Sequence, residues 1–422
     1  MPGWRARVGG AAAAVLTAAC GHPAPPAPPA SAPIGLVPAT VAVPVGLDDA
    51  PFATPRQALV PSGWSMSVWA RIPKARLAAW APDGALLISV PAAGQVLRLV
   101  PAEPGPQRSV LLDGLDQPHG LLFDDGTLYV AESDEIDAFD YRGPVADGRR
   151  VVAGGLPDAR SPELGGAYAH ALKSVAVDRD GAVYFSIGST GNITAEDRTA
   201  QPPRATIMRI PPEGGAASPF ATGVRNGTGL AVAPDGSVWT AVNNRDQIAD
   251  PQPGPSYADV NDYVNDNPPE SLARLTPGRE LGWPYCNPGA NGSAFIRDVQ
   301  TNADGSKLDC TALPPVEQTL GAHSAPLGLS FTDRVLPPPY TSGALAGVHG
   351  SWNRTPARAP EVSFFAWDNG TLGPQQTLVG GFQNQDGSRW GRPVAAVAGP
   401  DGAVYITDDY AGAVYRLAPP GR

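Results

Sequence analysis

The chain has 422 residues, 49 glycines, 49 prolines and a formal net charge of −10. That acidic balance excludes a protein that coats nucleic-acid phosphates non-specifically. Glycine and proline at this level would mark disorder if clustered, but many stand in turns between short apolar runs, which points to a packed all-β chain.

Residues 1–20 read as an export signal. Arg5 and Arg7 make a basic start, and Gly9 to Ala19 form an apolar run too brief to span a bilayer comfortably. Thr17-Ala-Ala-Cys20 resembles a bacterial lipobox, with Leu16 one position earlier than the preferred pattern. A lipid on Cys20 is then the expected contact with a membrane, and the periplasm or cell envelope the expected location. The alternative is a plain secretory signal cleaved nearby. Residues 21–55 are rich in Pro and Ala, have little to build a core with, and read as a tether. Residues 56–422 are the expected folded domain.

That domain is built on a repeat. Ala81-Pro-Asp-Gly-Ala-Leu-Leu-Ile-Ser89 pairs a turn with a short apolar strand. Similar units follow at Pro118–Val130, Ser174–Phe185, Gly223–Asp246 and Val394–Ile406, and Pro326-Leu-Gly-Leu-Ser-Phe331 starts one whose turn is replaced by a Pro-rich insertion. Asp-Gly supplies the turn in most copies, because Gly accepts the positive φ that a tight hairpin needs. Six such units predict an all-β, six-bladed β-propeller folded as one domain despite its length.

Cys286 and Cys310 are the cysteines left after Cys20, and both fall in the long insertion between the fourth and fifth units. In an exported chain two such cysteines pair, so a disulfide is expected.

A hairpin sends the chain out and back, so the lead-in to its first strand and the exit from its second share one end. The lead-ins carry His119, His170, Arg225, Asn226, His323 and Arg392. The exits carry Ser189, Asn192, Asn243 to Asp246, His349 to Arg354, and Asp408 with Asp409. Four of the five His residues therefore gather at one rim. Arg holds carboxylates bidentately and His accepts protons near neutrality, so the rim suits a polyanionic ligand beside a base. Carbonyl, Asn and Asp oxygens suit Ca2+. A single His at a strand start is more often structural, and some of these are expected to bond neighbouring blades.

Gly223-Val-Arg-Asn226, Asn243-Asn-Arg-Asp246, Leu281-Gly-Trp-Pro-Tyr-Cys286, Ala322–Leu329, His349-Gly-Ser-Trp-Asn-Arg354 and Trp390-Gly-Arg-Pro393 carry a resemblance. From about Gly63 to Pro419 the chain resembles the glucose/sorbosone dehydrogenase family, in its sorbosone dehydrogenase branch. The resemblance implies pyrroloquinoline quinone (PQQ) and Ca2+ as cofactors, and oxidation of a sugar or related aldehyde or alcohol. His170 matches the catalytic base, which takes the hydroxyl proton as hydride passes to the quinone. Asn226 and Arg392 match quinone contacts, with Arg225, Asn243 and Arg354 in the same motifs. Asn244 and Arg245 fall where backbone carbonyls bind Ca2+. The pattern departs in three places. Ser189 stands where the family has an Asp orienting the base, the quinone-binding Lys has no counterpart, and Trp390 replaces a second Arg. The implied partners are a sugar or aldehyde and an electron acceptor, with no nucleic acid. A non-catalytic propeller that binds a glycan or protein is the alternative. A Ca2+-dependent lactonase ranks below it, because this rim is richer in His, Arg and Asn than in acidic ligands.

Overall fold

The computed structural model describes residues 35–164, 166–251 and 260–421. The expected export signal, Cys20 and the first part of the expected tether lie outside them. Six small sheets stand in a ring, which is the expected six-bladed β-propeller. Blade one comprises Ala78–Trp80, Leu86–Val90, Gln95–Val100 and Gln107–Leu112. Blade two comprises Gly120–Asp124, Thr127–Ala131, Ile136–Tyr141 and Ala146–Ala153. Blade three is built from Val175–Val177, Val183–Ile187, Thr206–Ile210 and Ser218–Thr222. Blade four has Gly229–Val232, Val238–Val242, Glu270–Leu275 and Gln318–Leu320. Blade five has Pro326–Asp333, Ser342–Val348, Glu361–Asp368 and Gln376–Val379. Blade six joins Pro393–Ala398, Val404–Asp408 and Ala413–Ala418 to Ser65–Arg71 from the other end of the domain.

The repeat works as its turns require. In blades one, four and six the turn Asp accepts the backbone N–H two residues on: Ala85 on Asp83 at 3.3 Å, Ser237 on Asp235 at 2.9 Å and Ala403 on Asp401 at 3.2 Å. The first strands of neighbouring blades then approach very closely. A Cβ on Gly120 would lie 2.8 Å from Ser174 Cα, and one on Gly328 would lie 2.8 Å from Ala395 Cα. These strands surround an axial cavity of about 330 Å³, lined by residues such as Leu121, Val175, Leu230 and Leu329 and by no charged side chain. The chemistry therefore has to sit at the rim.

The expected tether is corrected by the structure over its later part. Leu36–Thr40 pairs antiparallel with Gln57–Pro61. Val41 and Phe52 are buried in the core beneath blades five and six, with the Phe52 ring edge-on to Trp390 and Tyr415. Arg71 ties the segment down through the carbonyls of Leu47, Asp49 and Ala50. A few well-placed apolar side chains cover that groove, so a low apolar density did not reveal it.

Cys286 and Cys310 form the expected disulfide, with Cα atoms 5.7 Å apart. The insert also has an apolar footing: Leu281, Phe295, Leu313 and Val316 pack with both cysteines against blades three and four.

Replacing Cys286 by Ser should lower stability by about 2–4 kcal/mol. Limited proteolysis should then cut first within the insert; an unchanged cleavage pattern would remove the bridge as its fastener. Gly347→Ala tests the ring itself, since the new Cβ would stand 2.1 Å from Val394 O. Thermal unfolding should report a loss of about 1–3 kcal/mol.

Candidate functional site

Blade two brings His119 to the rim, and blade one brings Arg76, two residues before its first strand. Arg76 Nη1 meets Asp409 Oδ2 at 2.8 Å, and His349 Nε2 donates to Asp409 Oδ1 at 2.8 Å. Burial acts to raise the Asp409 carboxyl, but His349 and Arg76 outweigh it and hold it at about 2. Arg392 donates from Nε to His349 O at 2.8 Å and from Nη2 to Gly350 O at 3.0 Å. Its guanidinium thus braces the exit of blade five from blade six. His119 is fully buried, and burial with Arg76 nearby drives its pKa down to about 3. It is neutral, with Nδ1–H on Lys173 O at 3.0 Å.

His170 has a similar electrostatic setting but a different neighbourhood. Burial first, and then Arg225, lower its pKa to about 3, so the imidazole is neutral across the physiological range. Nδ1 donates to Ser189 O at 2.8 Å, with Ser189 Oγ at 3.0 Å; that Oγ donates in turn to Gly191 O at 2.7 Å. With the proton on Nδ1, Nε2 carries the lone pair. Ser189 therefore orients the His170 ring through its backbone carbonyl, where the family resemblance implies a carboxylate. Gly188 lets the group close up: a Cβ there would stand 2.6 Å from His170 Cβ and 3.3 Å from Asn226 Oδ1. His170 and Asn226 thus both flank Gly188.

Blade four supplies the rest. Arg225 donates to Asn243 O at 3.2 Å and to Asn192 Oδ1 at 3.1 Å. Burial lowers its pKa to about 10, against the pull of Glu270 and Asp246. Asn243 N–H donates to Asn226 O at 2.9 Å, and Asn243 Nδ2 reaches Pro326 O in blade five. A cavity of about 100 Å³ opens here, lined by Arg225, Asn243, Asn244, Asp246, Glu270 and Trp352 among others. Glu270 is buried, which pushes its carboxyl up to about 7 against hydrogen bonds from the N–H groups of Asn244 and Ala325 and the charge of Arg225.

The side chains of Asn244 and Arg245, which also line this cavity, are engaged by protein partners. Asn244 Nδ2 donates to Pro269 O at 2.8 Å and Ser271 Oγ at 2.9 Å. Arg245 forms a buried ion pair with Asp298 at 2.6 Å, inside the disulfide-closed insert. Their carbonyls, by contrast, accept no hydrogen bond from the described residues. Those carbonyl oxygens are of the donor type that Ca2+ takes.

One rim expectation is corrected. Arg354 points to the short helix Val260–Asp266, donating to Asn265 O at 2.9 Å and Asp266 Oδ1 at 2.8 Å, because the blade-five exit loop turns outward there. Trp390 is a core residue, with Nε1 on Gly381 O at 2.7 Å. Sequence reasoning missed Arg76, Glu270 and Lys173. Arg76 could have been found, since it precedes its strand as Arg392 precedes Pro393. Glu270 opens a strand beyond an insertion, where the repeat has no phase. Lys173 is fully buried below the rim, its Nζ donating to Pro157 O at 2.8 Å and Ala171 O at 3.0 Å and also to Ser133 O.

The fold has close counterparts among solved structures. The holo PQQ domain of pyranose dehydrogenase from Coprinopsis cinerea superposes with a TM-score of 0.71 at 19% identity, covering 86% of this chain and 97% of that one. A calcium structure of the carbohydrate-active enzyme family AA12 protein of Trichoderma reesei gives 0.70 at 18% identity, over 85% and 96% of the two chains. By sequence, the chain is 26% identical over 257 residues to an uncharacterized protein of Borreliella burgdorferi. That match spans 59% of this chain and 60% of the relative's length. Residues 58–419, nearly the whole propeller, match the TrAA12-like family, and the chain belongs to that family.

Proposed function

We propose that this protein is a PQQ-dependent oxidoreductase of a sugar or a related aldehyde or alcohol, with Ca2+ held beside the quinone. The observation that carries the reading is His170: a neutral imidazole with its tautomer set by Ser189 O, beside the same Gly188 as Asn226 and near Arg225. The family match and the likeness in fold to a PQQ domain support it. The rim fits the cofactor pair in donor chemistry. PQQ is a tricarboxylate, and Arg225, Arg392 and Arg76 place three guanidinium groups around the mouth. Asn244 O and Arg245 O, beside the cavity of about 100 Å³, would hold Ca2+.

Bound PQQ would supply a two-electron acceptor for a substrate hydride. The chain's own residues do the rest. His170 Nε2 takes the hydroxyl proton from the substrate, and Ser189 O keeps Nδ1 protonated so that Nε2 stays the acceptor. Arg225 and Arg392 hold negative charge that develops at the mouth. Trp352, exposed at the cavity edge, offers a sugar ring an apolar face. With residues 1–20 as an export signal and Cys20 lipidated, the reaction would run in the periplasm or cell envelope, and an external acceptor would take the electrons onward. Sorbosone belongs in the substrate screen because the motif resemblance implies it. Ser189 in place of an Asp, and a rim without Lys, favour one competing reading: a propeller that kept the fold for recognition.

Titrating metal-stripped protein with PQQ separates the two. Tight binding that needs Ca2+ and raises the melting temperature is expected; no binding with or without Ca2+ would leave only the recognition reading. His170→Ala should lower kcat by about 10²–10⁴ while PQQ affinity stays near wild type. Ser189→Asp places a carboxylate beside Nδ1 and should raise the His170 pKa from its value of about 3. The acid limb of kcat/KM would then move to higher pH, by about one unit or more. A limb that does not move would mean that His170 is not the titrating base.

A further inference from the structure

The segment that carries His170 is held from two sides. On the blade-three side it bonds to residues 188–190: Tyr168 Oη donates to Gly188 O at 2.8 Å, His170 Nδ1 to Ser189 O at 2.8 Å, and Ala169 N–H to Thr190 O at 3.0 Å. On the blade-two side the next residue, Ala171, is held by Lys173. Lys173 Nζ donates to Ala171 O at 3.0 Å, to Pro157 O at 2.8 Å and to Ser133 O. Ser133 belongs to the turn between the second and third strands of blade two, and Pro157 follows the fourth. One side chain therefore gathers two loops of blade two and the loop that carries His170.

The cage is matched to an ammonium. An ammonium has three N–H groups and a neutral amine two, so three carbonyls are matched by the charged form. The Tyr168 ring covers the charge, its centroid 5.4 Å from Nζ. Lys173 is fully buried, and burial pulls its pKa down to about 7 while Asp158, Asp134 and Asp116 pull it up. An apolar side chain here would avoid the cost of burying a charge but would leave three carbonyls without this donor. The main chain of Lys173 extends the tie. Its carbonyl receives His119 Nδ1–H at 3.0 Å and Gly120 N–H at 3.1 Å, both from blade two.

We propose that Lys173 is the positioning residue of His170: its ammonium fixes the Ala171 carbonyl to blade two, and so fixes the plane and the tautomer of the neighbouring imidazole. The three bonds to residues 188–190 all lead to one strand exit, and a segment anchored there alone can pivot about it. A second anchor on the adjacent blade removes the pivot. With Ala171 O released, the His170 ring would lose its fixed approach to Ser189 O. Nδ1 would no longer hold the proton alone, and water would reach the ring. The use of that ring as a base rests on the quinone reading above; the placement of the ring does not.

The test is nitrogen NMR of the imidazole rings in histidine-labelled protein. No PQQ is added, so failure of the quinone reading leaves the result intact. The chain's five His residues give few signals, and His170→Gln assigns the one concerned. Wild type should show His170 as a single Nδ1–H tautomer at neutral pH. Lys173→Met should add the Nε2–H form and raise the His170 pKa from about 3 by about one unit or more, as water returns to the ring. Lys173→Gln, which keeps two donors, should fall between the two. His349, on blade five and bonded to Asp409, is the internal control, and its signals should stay in place. A folded Lys173→Met protein with wild-type His170 signals overturns the proposal, as does a wild type whose His170 holds no single tautomer. So does a change that moves His349 as far as His170, which is a general loosening. Failure of both variants to fold overturns it too, since Lys173 would then serve the fold alone.

Discussion

Backbone pairing between Ser65–Arg71 and Ala413–Ala418 joins the two ends of the propeller, from Ser65 against Ala418 to Arg71 against Ala413. This closure is what the rim depends on. Each blade contributes only a short lead-in and a short exit, and neither has a core of its own. Their positions are inherited from the angle between blades, and that angle is fixed only when the ring is complete. The closing contact is built from main-chain hydrogen bonds, so it tolerates side-chain change while remaining all-or-none. Close approach along the axis adds the second restraint, because first strands with Gly120 or Gly328 at their contacts leave no room for slippage.

A closed ring also sets the electrostatics. Arg225, Arg392, His119 and His170 are all drawn out of water, and burial lowers the pKa of each. The two His residues become neutral. The two Arg residues stay charged, because even a strongly lowered guanidinium pKa remains above neutrality. Cations and neutral bases thus coexist at one mouth. Buried carboxylates take part in the same balance: Asp409 is held ionised by His349 and Arg76, while Glu270 is pushed upward by burial. Such divergence among neighbouring groups is the usual mark of a site with work to do.

Three departures from the family pattern look different once placed in space. Ser189 supplies a carbonyl where a carboxylate was expected, which fixes the His170 tautomer without adding charge. Trp390 has joined the core that Phe52 and Tyr415 share. Lys173 is present but lies below the rim, tied to three carbonyls. The His170 ring keeps its orientation, therefore, while among the described residues the cations at the mouth are arginines.

The blades, the disulfide and most rim residues were legible in the sequence because each is a local fact repeated in register. An Asp-Gly turn between two apolar runs forms a hairpin whatever surrounds it, and a hairpin necessarily returns its polar ends to one side. His170, Arg225, Asn226, Asn243 and Arg392 follow from that logic. Tertiary structure alone decided what has no period. The packing of residues 36–55 into the groove under blades five and six, the outward turn of Arg354 and the arrival of Glu270 depend on contacts between segments far apart in the chain. Local propensity names the elements and their ends. Where a side chain points from a loop is settled by what the closed ring places opposite it, and no spacing along the chain encodes that.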